Sequence, residues 1–404
     1  MRVRLPARKF RLDFNEISGS LGDLGTFLPL AIGLITVNGV NATSLFLAAG
    51  LAYVGAGLFY GLPVPVQPLK ATSAIAIAMA VRPEAVSGAA FFMGIIFLLL
   101  SVFDLKNLFF RVFTRPVVRG IQLGLAVLLI KGGWKAIFGQ GGAAPGMADT
   151  AILSGAAIAA GGAAIIFLSR ESRRYPAALA LAGFGILCGL LLRPAGAVPV
   201  PGIGWIRPEW GIPAGADLYM IFVVLLLPQI PLTFANSVVA TAETSRQIFG
   251  QDARRVTIRS LSLSLGVINL IAGLIGGMPL CHGSGGLTAH HRFGARSGGA
   301  NLFIGGLFIV MALFLGKSIP TLFGLLPSSV LGILLIYVGL KHALLAEDVL
   351  DVPRELAVAA SIGIITLITG NLAIAFVTGI ALNAVGGKLF WKDVCRKAAW
   401  EESP

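Results

Sequence analysis

The residues best suited to chemistry lie in a short stretch that interrupts a long apolar run, Met278-Pro-Leu-Cys-His-Gly-Ser-Gly-Gly-Leu287. Pro279 and the glycines Gly283, Gly285 and Gly286 break any helix that arrives there, and Leu287-Thr-Ala-His-His-Arg292 can restart one. A helix that begins in an apolar environment presents free N–H groups and roughly half a positive charge at its start. His282, Ser284 and the N–H groups of Gly285 and Gly286 therefore suit an oxyanion. His282 is also ionisable and could carry a coupled proton. A second broken stretch, Pro63-Val-Pro-Val-Gln-Pro-Leu-Lys70, stands in the first half of the chain. Pro68 suits the first turn of a short helix, so Lys70 falls near a helix N-terminus, where the dipole disfavours a cation. A bound anion would offset that cost, and so would an ion pair with a buried carboxylate. Gln67 lies at the same depth with an amide to donate.

The carboxylate available for such a pair is Asp23, in Gly22-Asp-Leu-Gly-Thr26 of the first apolar span. Intramembrane carboxylates are costly and commonly functional, so Asp23 reads either as a second proton carrier or as the structural partner of Lys70. Further on, Leu227-Pro-Gln-Ile-Pro-Leu-Thr-Phe-Ala-Asn-Ser237 places Gln229, Thr233, Asn236 and Ser237 in an apolar helix with two prolines. That polar line either faces a pocket, with Gln229 and Asn236 in its lining, or holds helices together. Glu243 reads as interfacial. His290, His291, Arg292 and Arg296 read as positive charges at a cytoplasmic helix end. Adjacent histidines on a helix point in different directions, so His290 and His291 are no metal pair. No nucleotide-binding loop, hydrolytic triad or zinc spacing is present. Neither an enzyme, an ATP-driven pump, a cofactor nor a metal is expected.

The elements that must position these residues follow from composition. With 56% hydrophobic residues, 12% charged and a mean hydropathy of +0.88 over 404 residues, the chain reads as an all-α polytopic membrane protein. Its 52 glycines fit close helix packing in lipid. The net charge of +13 is scattered in short clusters between apolar runs, which is a topology signal and not a nucleic-acid face. Cys188, Cys281 and Cys395 are too dispersed for a disulfide or metal framework, and Cys281 reads as a small buried filler. The basic start of the chain lacks a cleavage site and reads as a cytoplasmic tail.

At about 20 residues per span, apolar segments fall near 18–38, 42–61, 68–81, 85–103, 115–138, 151–168, 176–193, 218–242, 256–276, 283–295, 299–317, 326–342, 356–370 and 371–387, the third and tenth being half-length. With both termini inside, only Arg82, Lys131, Lys135, Arg193, Arg207 and Lys317 of the 31 Lys and Arg residues fall outside, and Lys70 lies within the membrane. That asymmetry supports fourteen segments. Seven per half makes the second half inverted relative to the first. Pro68 and Pro116 have the same separation as Pro279 and Pro327, a faint trace of such duplication. The halves meet in a Pro- and Gly-rich loop, 194–216, whose Trp205 and Trp210 suit the lipid interface. Repeat one is expected over about 12–195 and repeat two over about 216–388, in a single transmembrane domain.

Four motifs together carry a family resemblance: Gly22-Asp-Leu-Gly-Thr26; Pro63-x-Pro-Val-Gln-Pro-Leu-Lys70; Leu227-Pro-Gln-Ile-Pro-Leu-Thr-x-x-Asn-Ser-Val238; and Met278-Pro-x-Cys-His-Gly-x-Gly-Gly286 with Arg292-Phe-Gly-x-Arg-Ser297. In this order they resemble the molybdate-transporter family related to the sulfate permeases. The resemblance implies a seven-plus-seven inverted repeat, with a core of spans 1–4 and 8–11 moving against a gate of spans 5–7 and 12–14. It implies an anion between the two half-helices, held by residues among Thr26, Gln67, Lys70, Gln229, Asn236, His282, Ser284, Gly285 and Gly286. Two helix N-termini and one Lys give about +2, enough to balance a dianion. Molybdate is the expected substrate and sulfate the next, imported with protons through Asp23 or His282. A cell-membrane location, a homodimer and the absence of a cytoplasmic regulatory domain fit the same picture. A nucleobase transporter of the same fold would need a carboxylate where this chain has His282-Gly-Ser-Gly-Gly286, and an anion channel would show no saturable uptake.

Overall fold

The computed structural model describes residues 10–103, 114–139, 148–169, 177–192, 202–213, 215 and 217–385. Cys395, Arg193 and part of the basic loops and tails lie outside these residues. In chain order the helices are α1 (Phe14–Ser20), α2 (Leu24–Thr36), α3 (Ala42–Tyr60), α4 (Lys70–Ala78), α5 (Pro83–Val102), α6 (Arg115–Phe138), α7 (Ala148–Ser169), α8 (Ala177–Leu191), α9 (Met220–Leu226), α10 (Gln229–Arg255), α11 (Ile258–Leu274), α12 (Ser284–Arg292), α13 (Gly299–Leu315), α14 (Ile319–Phe323), α15 (Ser328–Leu344), α16 (Pro353–Thr369) and α17 (Leu372–Val385).

By length and composition, four segments can each cross a membrane: α3, α5, α6 and Ser328–Val349, which contains α15. Two bent pairs, α1–α2 and α9–α10, each kinked by 44°, raise the number to six among the described residues. Apart from α7, the remaining unbent apolar helices have 17 residues or fewer, and at 1.5 Å per residue a 17-residue helix is about 25 Å long. The kinks have local causes. Asp23 is the residue before α2 and does not cap it with its side chain. In the second pair, Pro228 and Pro231 remove N–H groups and crowd preceding carbonyls. The backbone responds with wide π turns over Met220–Leu226 and Thr233–Ala240. Leu227 N, for example, donates to Phe222 O at 3.0 Å.

Helix pairs define the packing: α3 lies on α13, α5 on α11, and α6 on α15 and α16. Glycines bring these axes together. A Cβ on Gly50 would stand 2.8 Å from Gly305 O, and one on Gly305 2.8 Å from Gly50 O. Gly133 and Gly332 make the same reciprocal approach between α6 and α15, at 2.5 and 2.6 Å. At Gly94 of α5 a Cβ would meet Gly266 O of α11 at 2.9 Å. In lipid, such backbone proximity supplies the dispersion contact that hydrophobic burial cannot. An aromatic cluster joins α2, α3 and α13, with ring centroids 4.6 Å apart for Phe27–Phe308 and 5.2 Å for Phe46–Phe308.

Candidate anion site

The two broken stretches meet. Residues Gln67–Pro68 (β1) and Leu280–Cys281 (β2) pair antiparallel, with Gln67 opposite Cys281 and Pro68 opposite Leu280. Prolines at 63, 65 and 68 push the residues before them into extended conformation, so this stretch is a strand and not a helix. Its carbonyls still need donors, and the second half of the chain supplies them. His290 Nδ1 donates to Pro63 O at 3.0 Å, Asn301 Nδ2 to Val64 O at 2.6 Å and His282 Nδ1 to Pro65 O at 2.8 Å. A carbonyl can only accept, which fixes the proton of both histidines on Nδ1. Across the pair, Asn269 accepts from Leu280 N at 2.8 Å and donates to Leu280 O at 2.7 Å. Buried backbone without water has to be satisfied in this way.

That arrangement redistributes the residues singled out by type. His282 is fully buried, with Nδ1 on Pro65 and Nε2 2.9 Å from the Ser264 hydroxyl, so its ring supports the strand. His290 is also fully buried, beside Tyr53, and is not a charge at the cytoplasmic end; Arg292 and Arg296 are exposed. The reading of His290 from sequence is thereby corrected: it was grouped with its charged neighbours, but Pro63 needed a donor. Asp23 does not pair with Lys70. Its Oδ1 instead accepts from Gln67 Nε2 at 2.5 Å, while Oδ2 is buried with no hydrogen-bond partner among the described residues. Ion pairs among the described residues include Arg82–Glu84, Arg115–Glu355 and Arg119–Asp348. Gly283 and Gly286 make room for this pair: a Cβ on Gly286 would stand 2.5 Å from Gln67 Nε2 and 2.7 Å from Asp23 Oδ2. Thr26 is half-buried next to Asp23, its amide on the Asp23 carbonyl at 3.0 Å.

Lys70 opens α4 and is half-buried, with no hydrogen-bond or ion-pair partner among the described residues. It lines a tight cleft whose water-accessible space is only about 10 Å³, with Gln122, Gln229, Asn236, Ser237, Cys281 and His342 among its neighbours. Gln229 Oε1 accepts from Thr72 N in the first turn of α4 at 2.9 Å, and its Nε2 donates to Thr233 at 2.8 Å. Gln229 thus caps the half-helix as well as lining the cleft. Asn236 Oδ1 accepts from the Ser284 hydroxyl, the first residue of α12, at 2.9 Å. The next residue, Gly285, is exposed, with open space where a Cβ would stand. The structure therefore gathers Lys70, Gln229 and Asn236 in one cleft, with Ser284 tied to Asn236. It sets Asp23 and Gln67 against Gly286 and ties His282 to Pro65 and Ser264, outside the lining of the cleft. Sequence reasoning passed over Gln122 and His342, and it treated Cys281 only as filler. Their one sequence signal is a polar group inside an apolar helix.

The cleft at the broken half-helices, with Lys70 unpaired among the described residues, lies inside a bundle of apolar helices. The chain matches the family model described as "Molybdate transporter of MFS superfamily" over residues 15–129 and 222–341. It belongs to the molybdate transporter family. It is 26% identical to Molybdate transporter 2 of Arabidopsis thaliana, over 91% of this chain and 86% of that protein. It is 27% identical to Molybdate transporter 1 of Chlamydomonas reinhardtii, over 92% and 91%. In fold it resembles the transmembrane domain of the cyanobacterial bicarbonate transporter BicA, with a TM-score of 0.63, 16% identity and coverage of 91% of this chain and 98% of that one. It likewise resembles the murine Solute Carrier 26 family member A9 anion transporter in its inward-facing state, with a TM-score of 0.65, 14% identity and coverage of 93% and 68%.

Proposed function

We propose that this chain is a secondary transporter importing a tetrahedral oxyanion, molybdate first and sulfate second, with protons, across the cell membrane. The observation that carries the proposal is the Lys70 ammonium, without a partner among the described residues, at the head of a broken half-helix and in a cleft lined by amides and a hydroxyl. A cation against a helix dipole is stabilised by an anion, and burial strengthens their attraction. In this reading Lys70, Asn236, Ser284 and the N–H groups of Gly285 and Gly286 hold the anion, Gln229 shapes the site through α4, and Gln67 acts through Asp23. Between the two candidate proton carriers, Asp23 is favoured, because Oδ2 is unspent beside Gly286 whereas both His282 nitrogens are engaged.

The same reading takes the chain as fourteen segments in two inverted sevens, with both termini cytoplasmic and a homodimer permitted. The pairings α3–α13 and α11–α5 would then be one contact repeated by the internal two-fold, and α6–α15 would lie on its axis. Spans 1–4 and 8–11 form the core, and spans 5–7 and 12–14 the gate. A nucleobase substrate finds no support, since α12 opens on Ser284-Gly-Gly and not on a carboxylate.

Uptake of labelled molybdate into proteoliposomes, competed with sulfate, tests the function. Lys70→Gln should raise the half-saturation about ten- to a hundredfold, the loss of a charged hydrogen bond of about 1.5–3 kcal/mol. Lys70→Arg should retain part of the affinity with altered oxyanion selectivity. Non-saturable flux would instead identify a channel, and an unchanged half-saturation in Lys70→Gln would remove Lys70 from the site.

A further inference from the structure

The core-side groups of the cleft are largely committed within the protein. Gln229 spends its oxygen on Thr72 N and its nitrogen on Thr233, and Asn236 spends its oxygen on Ser284. The uncommitted donors include two on the facing helices, Gln122 of α6 and His342 of α15. Gln122 is buried, and Arg119 Nη1 donates to its Oε1 at 3.0 Å. Arg119 is itself held by Asp348, through Nε–Oδ1 at 2.8 Å and Nη2–Oδ2 at 2.5 Å. A guanidinium can only donate, so the oxygen of Gln122 faces Arg119 and its NH2 group is the free end. That nitrogen has no partner among the described residues. His342 is 5% exposed, and neither ring nitrogen has a hydrogen-bond partner among the described residues; Nδ1 is completely buried. A buried imidazole nitrogen without a hydrogen-bond partner is costly.

Resting on the reading of Lys70 as the core-side anion contact, we infer that Gln122 and His342 are the gate-side half of the site. They donate from α6 and α15 to the oxygens of a tetrahedral oxyanion that Lys70 holds from α4. An oxyanion presents four oxygens, so donors on opposite walls can engage different ones. The anion then bridges the two bodies, and their unspent donors are satisfied only when it is bound. Arg119 and Asp348 position Gln122 and need not touch the anion.

The decisive variant is Gln122→Glu, which keeps the size of the side chain and its pairing to Arg119 but turns a carboxylate oxygen toward the anion. Reconstituted full-length protein should show a molybdate half-saturation raised at least about a hundredfold, or no uptake. The thermal midpoint without molybdate should be kept, and the stabilisation that molybdate confers in detergent should disappear. His342→Leu should raise the half-saturation about ten- to a hundredfold, and His342→Gln, which restores a donor, should recover most of it. Unchanged half-saturation in folded Gln122→Glu and His342→Leu overturns the inference. So does a fall in maximal rate and thermal midpoint at constant half-saturation, the mark of a packing role. The Lys70→Gln variant separates the two levels. If it weakens affinity while these variants do not, only the gate-side assignment fails; if it leaves affinity unchanged, the underlying site fails with it.

Discussion

A buried carboxylate and a half-buried ammonium in neighbouring broken segments invite the assumption of an ion pair, and here each has a different partner. Asp23 holds Gln67, and Lys70 is left to the cleft. The consequence is measurable. Lys70→Gln should reduce affinity with little change in thermal midpoint, and adding Asp23→Asn should restore neither, because no pair exists to rescue. A midpoint that falls in the single variant and recovers in the double would restore the ion-pair model. Asp23→Asn alone can still accept from Gln67 through its amide oxygen, so it should fold. It should weaken pH-driven molybdate accumulation more than equilibrium exchange. His282→Leu should behave differently: it strands the Pro65 carbonyl, which costs about 1–3 kcal/mol. Lower folded yield with normal affinity in the surviving protein would show that role, and a selective loss of pH-driven uptake would contradict it.

Two short strands and two half-helices act as one element, because neither broken stretch can satisfy its own backbone. The proline-rich segment offers carbonyls, and His282, His290 and Asn301 answer them from residues more than two hundred positions away. Glycines set the spacing within that unit, but not equivalently. Gly286 has Asp23 and Gln67 against it, whereas Gly285 has open space. Gly286→Ala should therefore destabilise the protein by about 1–3 kcal/mol through overpacking. Gly285→Ala should fold at least as well as the parent, since Ala is favoured over Gly in a helix by about 1 kcal/mol. Any loss of affinity in Gly285→Ala then reports the anion's approach to α12 and not damage to the fold. Equal thermal midpoints for the two variants would refute the distinction.

At the scale of the molecule, the cleft lies where α4, α10 and β2 meet α6 and the end of α15. It is narrow, so an anion cannot enter and leave without these groups separating. Leu232 of α10 and Leu345, the residue after α15, both line it. With native cysteines replaced, joining Leu232→Cys to Leu345→Cys by a short reducible thiol cross-linker should stop uptake, and reductant should restore it. Full uptake by the cross-linked protein would mean that the two sides do not move apart.

Much of this was legible in residue order. Apolar runs and basic loops declared a polytopic helical protein, and Pro and Gly clusters marked where its helices break, since those residues constrain the backbone wherever they occur. Lys70, Gln229, Asn236 and Ser284 were identifiable as polar groups at costly depth. Direction was not legible. Whether His282 faces an anion or a carbonyl, and whether Asp23 meets Lys70 or Gln67, depends on which unsatisfied group the packing places within hydrogen-bond reach. Gln122 and His342 were hidden for the same reason. Each is an ordinary polar residue on its own helix, and only the crossing of α6, α15 and α4 turns them toward one space. Local sequence fixes where the backbone must break and where polar groups are expensive; the tertiary fold decides what satisfies them, because partners far apart in sequence are chosen by packing.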